Sequence, residues 1–166
     1  MKNAFLQGAD GKMVGSLPQP KSAPEVTLST VYGEQQVTPG RLDAGAREAF
    51  LNGQCVAFAA AAARRFNVDE IVLCVDTEDE FIIHALVEVG GELFDVDGAT
   101  DQESFAEVHG LDEDDFRWEP WTVADLDRLA ESELGFTLPE QDVQTASTMI
   151  DQWLEDGFGP EGFREI

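Results

Sequence analysis

A chain of 166 residues has room for one domain with a sizeable core, and its 34 acidic against 10 basic residues give a net charge of −24. With 43% of the chain apolar, the composition describes a folded core inside an acidic surface, not a disordered acidic tail. Such a surface repels nucleic-acid phosphates and anionic membranes, so neither is expected as a partner, and a cationic protein or peptide is the natural one.

Two cysteines, Cys55 and Cys74, do not make a disulfide scaffold and fit a reduced, cytoplasmic protein. Met1 to Leu6 lacks the apolar run of a signal peptide, and no stretch approaches the roughly 18 apolar residues that span a bilayer. The expectation is a soluble protein.

In chain order, residues 1–24 carry Gly, Pro, Ser and Lys without apolar periodicity and read as a loose lead-in, leaving 25–166 as a single domain. Val26, Leu28, Thr30 and Tyr32 alternate as in a short strand before Gly33. After Pro39-Gly40, Leu42 to Leu51 has helical spacing, with Ala46 and Phe50 inward and a stop at Asn52-Gly53. Asn52 also stands where an N-cap would open a second helix, Gly53 to Arg65, on which Cys55, Ala59, Ala62 and Phe66 recur at helical spacing. The alanine run from Ala59 to Ala63 gives that helix high propensity and a thin profile suited to lying on a sheet.

Ile71 to Val75, Phe81 to Val89 and Glu92 to Val96 read as strands, and Gly90-Gly91 joins the last two as a hairpin. Thr100 with Glu103 forms a capping-box pattern for a short helix ending near His109-Gly110. Phe116 to Glu119 is a further strand stopped by Pro120, and Thr122 with Asp125 starts a helix through Ser132. Val143, Ala146, Ile150, Trp153 and Leu154 mark a C-terminal helix closed by Gly157. The order of elements specifies an α+β class, a small antiparallel sheet backed by helices.

Cys55, at a helix start, is followed by His84 on one strand and by Asp95 and Asp97 on the next. A thiol, an imidazole and a carboxylate in that arrangement form a nucleophile, its base and the group that orients the base. The first turn of a helix carries unpaired N–H groups and the positive end of the macrodipole, both of which favour thiolate, and the same turn with the Gln54 amide can receive an oxyanion. His84 interrupts an apolar strand and therefore needs a hydrogen-bond partner. If Gly90 and Gly91 are the turn residues, Val89 faces Glu92, His84 faces Asp97, and Asp95 is the diagonal neighbour on the same side. Taken singly, each residue has an ordinary structural role: Cys55 as a small core residue, His84 as a half-buried ring satisfied locally, Asp97 as a turn residue before Gly98. Metal ligation is poorly served, because the two Cys and two His contain neither a close Cys pair nor a close His pair. No phosphate-binding or dinucleotide motif occurs, and no cofactor is expected.

The stretch from Asn52 to Gly98 resembles the catalytic core of the papain-like cysteine hydrolase superfamily, especially its transglutaminase-like branch. Gly53-Gln54-Cys55 looks like the nucleophile turn, His84-Ala85-Leu86-Val87 like the histidine strand, and Gly91 to Gly98 like the strand that follows. The resemblance implies a papain-like α+β core with the Cys-bearing helix on an antiparallel sheet, and Asp95, not Asp97, as the orienting carboxylate. It also implies cysteine-dependent amide hydrolysis or acyl transfer on a protein or peptide, by a peptidase or deamidase. Papain carries an oxyanion Gln some six residues before its Cys, where this chain has Ala49, so Gln54 or backbone N–H groups take that role here. The alternative is a non-catalytic binding or inhibitory protein whose acidic surface docks on a basic partner.

Overall fold

The computed structural model describes residues 24–129 and 138–160. The lead-in expected over 1–24 lies almost wholly outside the described residues, as does the end of the helix expected to reach Ser132. The rest is a mixed α+β arrangement with helices packed against an antiparallel sheet. Among the described residues no helix is long and apolar enough to cross a membrane.

Val26–Thr30 (β1) and Gly33–Val37 (β2) form an antiparallel hairpin that stands apart from the main sheet. Sequence reading anticipates β1 but not β2, whose Gly-Glu-Gln-Gln-Val has no apolar alternation and buries only Val37 fully. Ala44–Leu51 (α1) is capped by Asp43, whose side chain accepts from the Ala46 N–H at 2.9 Å. Cys55–Phe66 (α2) is buried from Cys55 through Ala63, as a helix that is apolar all round must be. Its alanines give it a thin profile, and it packs chiefly on β4 and α5.

The main sheet has five antiparallel strands: Glu70–Asp76 (β3), Ile82–Val89 (β4), Glu92–Asp95 (β5), Gly98–Thr100 (β6) and Phe116–Thr122 (β7). Their order is β6-β5-β4-β3-β7. β7 does not stop at Pro120; it runs through it, with Pro120 opposite Val72. The strand tolerates a residue without an N–H because it lies at the sheet edge. Between β5 and β7 lies Gln102–Val108 (α3), capped by Asp101 rather than by Thr100, through Asp101 Oδ1 and the Ser104 N–H at 2.7 Å.

After β7 come a 3-10 turn, Val123–Asp125, and Leu126–Leu129 (α4). The expected C-terminal helix is two helices, Glu140–Ser147 (α5) and Ile150–Glu155 (α6). They break where the Thr148 hydroxyl donates back to Thr145 O at 2.6 Å and accepts from the Gly40 N–H at 2.8 Å. Trp153 of α6 is fully buried, meets Phe58 and Phe94 edge-on, and donates its indole N–H to Val96 O at 3.2 Å. It therefore joins α2, β5 and the turn after β5 in one core, and truncating such a side chain costs about 3–5 kcal/mol.

Candidate active site

Cys55 is the first residue of α2, two positions earlier in the helix than an Asn52 cap would place it. Gln54 occupies the cap position, and Asn52 instead closes α1, its amide donating to Glu48 O at 2.9 Å. The turn between the helices is fixed from outside by the β1–β2 hairpin. The Val31 N–H donates to Asn52 O at 2.7 Å, and the Gln54 amide donates to Ser29 O at 2.8 Å. Gly53, at φ +130°, presses so closely on β1 that a Cβ would come within 2.9 Å of Thr30 Cα, so both conformation and space require glycine. No side chain caps the start of α2.

His84 is 4% exposed on β4. Its Nε2 lies 2.9 Å from Asp95 Oδ2. Burial alone would lower the affinity of this ring for a proton, but the hydrogen bond to the Asp95 carboxylate and the influence of the neighbouring Cys55 outweigh it and raise the pKa from 6.5 to about 10. One face of the ring stacks on Phe105 of α3, centroids 5.2 Å apart and planes within 8°. The β3–β4 ladder shifts register beside His84: Val75 pairs with Ile82 and Cys74 with His84, which leaves Ile83 as an extra residue. Bulges of this kind re-aim the neighbouring side chain.

The hairpin begins as the glycine pair implies, with Val89 opposite Glu92 and Val87 opposite Phe94. It does not continue to Asp97. After Asp95 the chain turns back into β6, pairing Asp95 with Gly98, so Asp97 leaves the ladder before it comes opposite His84. The turn is held by Asp95 itself, whose Oδ1 accepts from the Asp97 N–H at 2.8 Å while Oδ2 holds the imidazole. Asp97 instead lies 3.8 Å from Arg47 of α1, and its pKa is raised first by burial and then by the adjacent Asp95. Arg47 also donates to Val96 O at 3.0 Å and so secures this turn from α1.

Gln54 does not stand free beside Cys55. Its side chain is 7% exposed and directed to Ser29, which corrects the expectation of an amide donor facing a bound carbonyl. Cys74 is fully buried in mid-strand, and burial pushes its thiol up to about 12. His109 sits at the end of α3 with Nδ1 2.9 Å from Phe105 O. Among the described residues no three His, Cys, Asp or Glu side chains are arranged to hold a metal ion.

The comparisons return nothing: no family model, no curated protein and no solved structure matches the chain. Sequence reading missed the hairpin that fixes the Cys55 turn, the Phe105 ring behind His84 and the Arg47 anchor. One signal for the first was available, since a glycine immediately before a helix start often marks a close approach of another backbone.

Proposed function

We propose that the protein is a cysteine-dependent amide hydrolase or acyltransferase with a papain-like core, acting on a protein or peptide. The observation that carries this reading is the buried His84, bonded to Asp95 through Nε2 and drawn toward protonation by both Asp95 and Cys55. A carboxylate on one ring nitrogen and a thiol at the other is the arrangement that general acid–base catalysis at sulfur requires.

In this mechanism the Cys55 sulfur attacks the carbonyl carbon while its proton resides on His84 Nδ1. The carbonyl electrons move to oxygen, and the N–H groups of the uncapped first turn of α2 receive the oxyanion. As the oxyanion collapses, the C–N bond breaks and His84 returns the proton to the departing amine. The thioester on Cys55 is then attacked by water, which His84 deprotonates, or by an amine, and the thiol is regenerated. Asp95 holds the ring in one tautomer and stabilises its charge throughout. Water gives hydrolysis or deamidation and an amine gives acyl transfer, so these outcomes share one site. The net charge of −24 favours a cationic carrier of the carbonyl.

Iodoacetamide labelling followed by peptide mapping tests the reading. Cys55 should alkylate well below pH 8, while Cys74 in the native protein stays unlabelled. Equal reactivity of the two thiols would remove the basis for the mechanism.

A further inference from the structure

A cavity of about 160 Å³ adjoins Cys55. Its apolar lining is Val31 from the tip of the β1–β2 hairpin, Leu51 from α1, Val56 from α2, and Ile82 and Ile83 from the start of β4. The remaining walls are Asn52 and Gly53, and none of the eight lining residues is charged. In a chain with 34 acidic residues, the recess at the candidate nucleophile thus carries no charge. The hairpin tip is firmly built: the Thr30 hydroxyl donates to Gly33 O at 2.7 Å and accepts from the Tyr32 N–H at 3.1 Å. That turn leaves Val31 71% and Tyr32 85% exposed, and Phe81, just before Ile82, is 46% exposed. Large apolar side chains held in water beside a recess mark a place where another apolar group is received.

We infer that this recess is the specificity pocket of the site, and that the substrate presents an aliphatic or small aromatic side chain next to the carbonyl attacked by Cys55. The inference rests on the proposed function and narrows it to a substrate class. A cavity of about 150 Å³ has room for a ligand the size of benzene, so the recess has room for a leucine or phenylalanine side chain. Long-range attraction of a cationic protein and recognition of one apolar residue are then separate tasks, the first performed by the acidic surface and the second by the hairpin tip and β4.

Two probe pairs test the pocket, one for each side of the carbonyl. N-isobutyl-iodoacetamide against iodoacetamide places the apolar group on the amine side. The p-nitrophenyl ester of 4-methylpentanoic acid against that of acetic acid places it on the acyl side. Rates of Cys55 modification are divided by those of N-acetylcysteine with the same probe. One pair should show a preference of about tenfold or more for the branched member, the gain expected when a few methylenes are buried. Val31→Asp should bring that ratio close to one. Ratios near one for both pairs, at a Cys55 that does react, would overturn the pocket and leave the nucleophile standing. A Cys55 that reacts with no probe would overturn the proposed function instead. The pocket is then judged alone by methyl NMR of the Cys55→Ala protein titrated with N-isobutylacetamide: saturable shifts at Val31, Val56 and Ile82 support it, and their absence overturns it.

Discussion

The two cysteines of this chain are both buried, yet they occupy opposite chemical situations. Cys74 is the nearer to His84 along the backbone of the sheet, directly opposite it in the β3–β4 ladder. Nevertheless it is Cys55, from a different element, that joins Asp95 in raising the imidazole pKa. Cys74 is enclosed with Phe105 and Phe116, and burial pushes it up to about 12. Cys55 opens on a cavity at a helix start. In the proposed mechanism it is a helix start and an adjoining cavity, not a place beside a histidine within the sheet, that suit a thiol to attack.

The strongest way to break this contrast is Cys55→Ala, which should lower p-nitrophenyl acetate turnover by about 10⁴-fold or more, since residues acting as one unit fail together. His84→Ala comes next. Without the base, alkylation of Cys55 by iodoacetamide at pH 6.5 should slow by about 10²- to 10⁴-fold, while Cys74 remains unlabelled. Asp95→Asn should cost less, about 10²-fold in the same assay, and it should also alter the pH dependence of stability. Because the folded-state pKa of His84 is raised from 6.5 to about 10, the stabilisation it brings is fully present below pH 6.5 and is lost as pH rises through about 10. Thermal melts from pH 6 to 10.5 should therefore show a steeper decline in the wild type than in Asp95→Asn. Gly53→Ala should destabilise the fold by about 1–3 kcal/mol through its φ of +130° and its contact with Thr30, measured by urea unfolding. Smallest of all, Cys74→Ala should leave Cys55 alkylation within about twofold, as expected of a group outside the mechanism.

Strong periodicities were readable from the sequence: α1, α2, and the β4–β5 hairpin through its Gly90-Gly91 turn, which carries His84 and Asp95. The parts that escaped depend on tertiary context. β2 has no apolar pattern and exists because it pairs with β1 and packs on α1. Pro120 looks like a strand stop until β7 is known to be an edge. An ideal ladder extended past Asp95 selects Asp97, but the turn into β6 takes Asp97 away. That same turn explains why an aspartate occupies a strand position flanked by Phe94 and Val96, where propensity disfavours it. One oxygen folds the turn and the other holds His84.

The hairpin contacts at Ser29, Thr30 and Val31 give the segment before residue 38 two jobs at one place. It braces the turn that presents the thiol, and its tip supplies Val31 to the recess alongside. The sheet that carries His84 and Asp95 is built separately from it. In the proposed reading the hairpin tip shares the recess with Ile82 and Ile83 of β4, the strand that also carries His84. Under the proposed function, exchange of the tip residues Val31 and Tyr32 would reshape one wall of the recess and leave the His84–Asp95 pair intact.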